Sequence, residues 1–230
     1  MSVLSQLKRW VGFKWLGPWI TRFEIGGTKY GGWYDGTNDP RLGWFFDRFP
    51  DAGTVLELGS LEGGHTYGLV RGGVRKVVAV EGRSDNLARA RFAQRQLGYT
   101  NAEFVQADLE TCDFAAFGRF DVVFCCGLLY HLPRPWELLA KIASVTDRLF
   151  LSTHFTTADP APLARHGYPG QWVGEHGLHD PLSGLSRQSY WPTLGGLDRM
   201  LADAGFRIDP VFAEDFDHPS GPLVTLAAVR

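Results

Sequence analysis

The stretch that decides the fold is TVLELGSLEGGHTYGLV, residues 54–70. It begins with a short apolar run typical of a buried strand and continues into a loop that contains Gly59, Gly63 and Gly64. Glycine allows the backbone to turn tightly and to come close to a ligand. The stretch therefore predicts a strand, a ligand-binding turn and a short helix.

Strand-like and helix-like segments alternate after this turn. Further strands are predicted over residues 76–82, 102–108, 120–127 and 148–155, with helices over 84–98, 135–145 and 193–206. Apolar strands separated by helices are covered on both faces, which indicates an α/β fold with a doubly wound, mostly parallel sheet. The strand-like segments FRIDPVFAED and PLVTLAAVR close the chain and complete a seven-stranded sheet.

Two segments fall outside this alternation. Residues 1–50 contain an apolar, basic helix and many aromatic residues, and we expect them to form a cap before an α/β domain at 51–230. Residues 156–192 are rich in Gly, Pro, His and Trp and show no clear period. A segment this long and irregular inside a compact domain is usually functional or disordered, and we expect a lid over the substrate site.

Composition and net charge disfavour some classes of protein. The chain has 230 residues, 44% of them hydrophobic, and a net charge of -2, which disfavours nucleic-acid binding through a global basic field. Three sparse cysteines indicate a reducing compartment, so we predict a cytoplasmic protein. The apolar N-terminus is interrupted by Lys8, Arg9 and Lys14, which favours a lid or interface helix over a membrane-surface helix and argues against stable membrane insertion.

Residues at the carboxyl ends of the strands indicate the ligand, because ligands bind doubly wound sheets at that edge. Glu81 ends the second strand, where a carboxylate can accept both hydroxyls of a ribose, as in dinucleotide and S-adenosylmethionine sites. Leu61 replaces the middle glycine of the dinucleotide fingerprint, and Glu62 would repel a pyrophosphate. Asp108 ends the third strand, where it can accept a hydrogen bond from an adenine amino group. These residues favour S-adenosylmethionine.

The segments VLELGSLEGG, VVAVEG, FVQADLE and FDVVFCCGLLYHLPRP follow one another as motifs of a known family do. Over about residues 54–155 the sequence resembles the class I S-adenosylmethionine-dependent methyltransferases. The resemblance extends more weakly from there to the C-terminus. The resemblance implies a Rossmann-like methyltransferase fold, S-adenosyl-L-methionine as methyl donor and S-adenosyl-L-homocysteine as product. GLLYHLPRP is most similar to the branch that holds tRNA wobble-uridine carboxymethyltransferases and small-molecule methyltransferases.

The resemblance also implies roles for individual residues. Glu57 and Gly59 hold the turn against the amino acid part of the cofactor, Glu81 binds the ribose hydroxyls and Asp108 binds the adenine amino group. The alternatives are that Gly63 is a packing glycine and that Asp108 is a helix cap. The implied cofactor residues are Glu57, Gly59, Ser60, Gly63, Glu81, Gly82, Asp108, Leu109, Cys126 and Gly127.

Substrate and catalytic candidates come from outside the glycine turn. Methyl transfer to a hydroxyl usually needs a base, and His131 and His154 follow the fourth strand and end the fifth. The alternative for His131 is a packing or bracing role. Aromatic residues outside the sheet suit a substrate pocket or, alternatively, a second small core. The substrate candidates are Tyr30, Trp33, Tyr34, Tyr130, Trp172, His176, Tyr190 and Trp191.

These observations predict a methyltransferase that transfers a methyl group to an O or N atom of a small molecule. The alternatives are an enzyme that modifies tRNA nucleosides and a non-catalytic cofactor-binding subunit, with a nicotinamide oxidoreductase more distant. The segment EHGLHD, which ends in His179 and Asp180, holds metal-ligand residue types but no helical frame, so no metal site is predicted. The sequence leaves the substrate and the oligomeric state open.

Overall fold

The computed structural model describes residues 3–158, 167–177 and 180–230 of the chain. Contacts between residues divide the chain into two compact units, Met1–Ala107 and Asp108–Arg230, which we call unit 1 and unit 2. Both units combine strands with helices, and candidate site residues lie in each of them.

Unit 1 begins with a cap and continues with the first part of the alternating pattern. The cap elements are α1 (Val3–Leu16), β1 (Arg22–Ile25), β2 (Thr28–Gly31), a 3-10 turn (Gly36–Asn38) and α2 (Pro40–Arg48). The elements that follow are β3 (Thr54–Leu58), α3 (Gly64–Arg71), β4 (Lys76–Glu81), α4 (Ser84–Leu97) and β5 (Ala102–Gln106). β4 pairs in parallel with both β3 and β5, and its apolar side chains are buried, as expected for a central strand.

Unit 2 contains the rest of the pattern and the insertion. Its elements are a 3-10 turn (Phe114–Phe117), β6 (Val122–Cys126), a 3-10 turn (Leu129–His131), α5 (Pro135–Val145), β7 (Arg148–His154), β8 (Gly170–Gly174), β9 (Gln188–Pro192), α6 (Leu194–Asp203), β10 (Arg207–Asp215) and β11 (Leu223–Val229). Proline at the first position of α5 and a Thr193 cap on α6 start these helices where the sequence predicts.

The main sheet has seven strands in the order β10-β11-β7-β6-β3-β4-β5. β6 and β7 are parallel, as are β3, β4 and β5, whereas β11 runs antiparallel to β7 and β10. The predicted α/β fold with a mostly parallel, seven-stranded, Rossmann-like sheet is confirmed.

The cap contains a hairpin that the sequence analysis did not predict. β1 and β2 pair antiparallel around Gly26 and Gly27, whose φ angles of 60° and 78° suit a tight hairpin turn. The Gly-Gly pair between two β-forming segments is the sequence signal that could have predicted this hairpin. Tyr30, on β2, is buried in a core cluster and stacks on Phe13 at a centroid distance of 5.0 Å. This placement corrects the substrate role predicted for Tyr30, because its ring faces the cap core.

The insertion at 156–192 is more regular than its composition indicates. β8 and β9 pair antiparallel, with Trp172 opposite Tyr190. Each strand has only five residues, β8 has a glycine at both ends and β9 ends in proline, so the alternation is too short to stand out in the sequence. Residues 159–166 and 178–179, which include His179 of the predicted insertion, lie outside the described residues.

Candidate active site

The glycine turn after β3 is fixed by backbone hydrogen bonds. The N–H groups of Gly59 and Ser60 both donate to the carbonyl of Val80, at 2.9 and 3.1 Å. Gly63 has a φ of 82° and lies at the start of α3, and a Cβ there would come within 3.0 Å of the Phe104 ring. Gly63 therefore also serves as a packing glycine, the alternative that the sequence left open.

Leu61 occupies a backbone conformation that normally selects glycine. Its φ is 50°, and it is the one non-glycine residue with positive φ within the described ranges. Its N–H donates to Oε2 of Glu81 at 2.9 Å. Leu61 stands where the glycine pattern has a glycine. The side chain is different, but the backbone keeps the left-handed turn conformation that glycine adopts.

Glu81 is a buried and oriented carboxylate. Oε2 accepts from Leu61 and Oε1 from the N–H of Arg83 at 2.9 Å. Burial raises the pKa of Glu81, and these two backbone donors partly oppose that shift. A carboxylate has four lone-pair directions, so two donors leave capacity for two ribose hydroxyls. Gly82, predicted beside it, accepts from the side chain of Gln106 at 3.3 Å through its carbonyl.

Glu57 and Ser60 contribute buried polar atoms to the same turn. Glu57 Oε2 accepts from the hydroxyl of Thr66, whereas Glu57 Oε1 and Ser60 Oγ have no hydrogen-bond partner in the described part of the chain. Burial raises the pKa of Glu57 to about 7, the Thr66 hydrogen bond lowers it, and the nearby charge of Glu81 raises it. Buried polar atoms without partners are rare and indicate a place for a ligand or water.

Glu62 has a role that the sequence analysis missed. Its buried carboxylate accepts from the N–H of Thr21 at 2.6 Å and from that of Ile20 at 3.0 Å, and Arg89 lies 3.8 Å away. These bonds tie the segment just before β1 to the glycine turn. Ile20 and Thr21 lie more than forty residues before Glu62 in the chain. No local sequence pattern therefore marks these hydrogen bonds.

A second polar network surrounds Asp39, which caps α2. Asp39 accepts from the hydroxyl of Tyr34 and from Arg41, and His65 Nε2 lies 3.2 Å from it. Burial would raise the pKa of Asp39, but hydrogen bonds from His65 and Arg41 hold it well below its usual range. Burial lowers the pKa of His65. Tyr34 is therefore part of a network at the start of α3, whereas Trp33 beside it is exposed.

The predicted cofactor residues of unit 2 lie after β5 and β6. Asp108 is exposed, and its Oδ1 accepts from the N–H of Glu110 at 2.9 Å, so it caps a turn, whereas the alternative interpretation was a helix cap. Leu109 is buried, and its carbonyl accepts from Lys141 Nζ at 2.9 Å. After the buried Cys126, Gly127 has a φ of 77° and donates its N–H to the carbonyl of Ser152.

His131 and Glu175 form a pair within unit 2. His131 Nδ1 lies 3.0 Å from Oε1 of Glu175, and Oε2 of the same carboxylate accepts from the hydroxyl of Ser183 and the N–H of Gly184. Burial would raise the pKa of Glu175, but the hydrogen bonds from His131, Ser183 and Gly184 outweigh burial and lower it to about 2. An ionised carboxylate only accepts, so Nδ1 carries a proton, and Nε2 is the ring nitrogen that can accept one.

His154 lies in an aromatic cluster with Tyr130 and Trp191. Its ring stacks on Trp191 at 5.1 Å and meets the edge of Tyr130 at 4.4 Å, and Tyr130 also lies 4.1 Å from His131. His154 Nδ1 donates to the carbonyl of Gly221 at 2.8 Å, and burial lowers its pKa. The structure thus brings both predicted histidines together through one tyrosine. Trp191 Nε1 is buried and has no hydrogen-bond partner among the described residues.

The remaining substrate candidates lie on the β8–β9 hairpin and its loop. Tyr190 is 1% exposed and donates its hydroxyl to the carbonyl of Tyr168, which corrects its predicted substrate role because the ring and the hydroxyl are both engaged. Trp172 is half exposed and lines a cavity of about 560 Å³ with residues 133, 174 and 186–188. His176 is exposed. Within the described ranges no cluster of His, Cys, Asp and Glu could hold a metal ion.

The chain is similar to a family of known proteins. The family model described as "Methyltransferase domain" matches residues 55–148. The N-terminal domain of EvdMO1, crystallised in the presence of SAH and D-fucose, is 35% identical with a TM-score of 0.87, and the match covers 100% of this chain and 97% of that one. Against the longer EvdMO1 chain the match covers 49% of that chain, so this protein spans about half of it.

More distant structures share the fold. Magnesium protoporphyrin IX methyltransferase (ChlM) from Synechocystis PCC 6803, with bound SAM, is 21% identical with a TM-score of 0.60, and the match covers 84% of this chain and 77% of that one. The 1,6-didemethyltoxoflavin-N1-methyltransferase of Burkholderia thailandensis is 19% identical with the same TM-score, and the match covers 85% and 78%. A comparison with curated proteins found no match. The chain belongs to the class I S-adenosylmethionine-dependent methyltransferases, and S-adenosylmethionine is its cofactor.

Proposed function

We propose that this enzyme methylates a hydroxyl oxygen of a sugar or a sugar-like small molecule. The observation that carries the proposal is the His131–Glu175 pair, with Nδ1 of the ring 3.0 Å from the carboxylate. A neutral amine attacks a sulfonium methyl group without help, whereas a hydroxyl usually needs a base. An imidazole held in one tautomer by a buried carboxylate is the arrangement that such a base requires.

The substrate class is supported by what one similar structure was crystallised with. The N-terminal domain of EvdMO1 was crystallised with D-fucose, and it matches this chain over its whole length at 35% identity. A sugar presents several hydroxyls and one apolar face, so it suits aromatic rings beside unpaired polar atoms. Trp191 Nε1, buried without a partner among the described residues and stacked on His154, supplies a donor of this kind.

The cofactor residues of unit 1 fit S-adenosylmethionine. Glu81, oriented by two backbone donors, retains the lone pairs that a ribose diol needs. The unpaired Oε1 of Glu57 is a buried acceptor beside the turn, which suits the cationic amino acid part of the cofactor. In unit 2 we retain the family-derived roles: Asp108 and Leu109 for the adenine, and the main chain of Cys126 and Gly127 for the methionine amino group. The cap at 1–50 and the lid at 156–192 also remain part of the proposal.

The mechanism follows from the orientation of the base. S-adenosylmethionine supplies a methyl group on a positively charged sulfur. With the cofactor bound, the methyl–sulfur bond would break as the substrate oxygen bonds to the methyl carbon, and Nε2 of His131 would take the hydroxyl proton. Glu175 holds the ring and stabilises the imidazolium that results. The products are a methyl ether, S-adenosylhomocysteine and a proton on His131, which passes to water.

His154 has a different role in this proposal. Its Nδ1–H is bound to a backbone carbonyl, and its side chain is 4% exposed and covered by the ring of Trp191. No carboxylate among its described contacts stabilises a charged ring, and burial lowers its pKa. We therefore assign the proton transfer to His131 and give His154 the role of fixing Tyr130 and Trp191 against the substrate.

The proposal is tested by measuring turnover of the purified chain with S-adenosylmethionine. D-fucose, other 6-deoxyhexoses and their amino-sugar counterparts serve as acceptors, and S-adenosylhomocysteine and the methylated product are measured by mass spectrometry. We expect a mass gain of one methylene on a hydroxy sugar, placed on oxygen by NMR. Transfer to amino groups alone, or turnover of another acceptor class with no sugar methylated, would overturn the proposal.

A further inference from the structure

One side of α1 carries large apolar residues that the described part of the chain leaves exposed. Leu7, Trp10, Val11 and Trp15 are 55%, 50%, 51% and 83% exposed. Their spacing of three to four residues places them on one side of a helix. We call these four residues the apolar stripe. An exposed group of two tryptophans and two aliphatic residues on one helix indicates an interaction surface.

The opposite side of α1 is already used to hold the helix on unit 1. Phe13 is buried in the cap core, and a Cβ on Gly12 would meet the ring of Phe92 at 2.4 Å. Arg9 donates to the side chain of Gln96 on α4 at 3.2 Å, and Arg89 donates to the carbonyl of Leu16 at 2.7 Å. The helix is therefore anchored on α4 by one side, with the apolar stripe on the other.

The charges on α1 all have one sign. The helix sequence VLSQLKRWVGFKWL contains three basic residues and no acidic residue, although the chain as a whole has a net charge of -2. Lys8 and Lys14 are exposed, and the Lys14 ammonium lies 4.3 Å from the centre of the Trp10 ring. Lys14 follows Leu7 by about two helical turns, so it lies on the same side of the helix as the apolar stripe.

We infer that α1 docks reversibly on an anionic lipid surface, in place of the lid or interface helix that the sequence favoured, because the apolar stripe is exposed. A helix with tryptophans and aliphatic residues on one side, mixed with lysines, has the composition of an interfacial membrane helix. Lysine stems can lie along the apolar region while the ammonium groups reach anionic headgroups, and tryptophan favours the membrane–water boundary. Two copies of this stripe facing each other would instead bring Lys8 and Lys14 together with no acidic side chain on the helix to pair with them.

The inferred attachment is peripheral. α1 has 14 residues, and within the described ranges no helix is long and apolar enough to cross a membrane. The surface lies on unit 1, and the inference does not rest on the identity of the methyl acceptor.

Flotation of the full chain with lipid vesicles tests this inference. Vesicles of phosphatidylcholine alone are compared with vesicles that contain 30% phosphatidylserine as the probe. We expect binding to the anionic vesicles that falls as salt is added, and at least tenfold weaker binding to neutral vesicles. No binding to anionic vesicles at low salt, or equal binding to both compositions, would overturn the inference.

Variants locate the binding surface. Trp10→Ser combined with Trp15→Ser should weaken binding at least tenfold, and Lys8→Gln or Lys14→Gln about fivefold each. Phe216→Ser is the matched control, because Phe216 in unit 2 is 52% exposed, as Trp10 is 50% exposed. Affinity for S-adenosylhomocysteine confirms that each variant is folded. If the chain forms dimers that the double tryptophan variant abolishes while vesicle binding is absent or unchanged, the stripe is an interface between copies and the inference is wrong.

Discussion

The proposed cofactor residues of unit 1 and the proposed catalytic pair of unit 2 are built in different ways. In unit 1, Glu81 is held by backbone N–H groups of Leu61 and Arg83, which belong to the turns at the ends of two neighbouring strands. In unit 2, His131 at the end of a 3-10 turn is held by the side chain of Glu175, which lies 44 residues away in the β8–β9 hairpin. The comparison shows that a site made of strand ends and turns is encoded locally, whereas a catalytic pair made of two side chains depends on loop packing.

The largest effect is expected from breaking the pair in unit 2. His131→Gln should lower kcat by about 10²–10⁴-fold and leave affinity for S-adenosylmethionine unchanged, because it removes the proton acceptor and no predicted cofactor contact. Glu175→Gln should lower kcat less, since the base remains but loses its orientation and its counter-charge. Steady-state kinetics at saturating cofactor, together with calorimetric cofactor binding, measure both quantities.

The double variant shows whether the two residues act as a unit. His131→Gln with Glu175→Gln should be no slower than His131→Gln alone, because a positioning residue has no role once its base is gone. Ser183→Ala is the matched control: it removes one hydrogen bond to Glu175 and leaves the bond from His131 in place. If His131→Gln weakens cofactor binding and turnover in proportion, His131 is a cofactor residue and the assignment as base is wrong.

The second prediction concerns the buried carboxylate of unit 1. Burial raises the folded-state pKa of Glu57 from 4.5 to about 7, so its contribution to stability is present below pH 4.5 and is lost as pH rises through 7. Glu57→Gln removes the charge and retains an acceptor for Thr66. We therefore expect the variant to be more stable than the parent by up to about 3 kcal/mol at pH 8, at 1.36 kcal/mol per pKa unit, with little difference at pH 4.5.

Urea unfolding of the cofactor-free protein across pH 4.5–8 measures this difference. Glu103→Gln, a change to an exposed glutamate on β5 of the same unit, is the control and should leave the pH dependence unchanged. A variant that is no more stable than the parent at pH 8 would show that Glu57 is not destabilised by burial. Its unpaired oxygen would then be satisfied by solvent.

The third prediction concerns Glu81 and separates cofactor binding from catalysis. Glu81→Ala should weaken S-adenosylmethionine binding about 10–100-fold, because two charge-assisted hydrogen bonds to the ribose are worth about 1.5–3 kcal/mol. At saturating cofactor, kcat should stay within about threefold of the parent value. Calorimetry and saturation kinetics give the two quantities, and Glu103→Ala serves as the surface control. Unchanged affinity in Glu81→Ala would remove the ribose assignment.

The sequence predicted the fold and the glycine turn because both follow from local patterns. The apolar strands, the turn at Gly59 and Gly63, and the acid that ends β4 are each visible within a few residues. The pairing of His131 with Glu175 and the attachment of Glu62 to the backbone before β1 join distant segments, and nothing in a single sequence marks them. Aromatic residues gave a mixed result, since Tyr30 and Tyr190 pack in cores whereas Trp172 and Trp33 are exposed.

The smallest expected effect is at Leu61, where the turn adopts a glycine-like conformation without glycine. A left-handed conformation costs a residue with a Cβ about 1–2 kcal/mol, and glycine loses part of this advantage through its flexibility in the unfolded chain. Leu61→Gly should therefore be about 1 kcal/mol more stable than Leu61→Ala, since both variants lack the leucine side chain and only alanine keeps the Cβ at a φ of 50°.

Thermal or urea unfolding of the two variants measures the difference in free energy. Cofactor affinity should agree within about twofold between them, because the N–H of residue 61 still reaches Glu81 in both. If Leu61→Ala is as stable as Leu61→Gly, the left-handed turn is not strained, and the turn of unit 1 does not depend on glycine at this position. The turn of unit 1 would then form with more sequences than the motif of the family indicates. The turn of unit 1 would be less locally determined, and so more like the side-chain pair of unit 2.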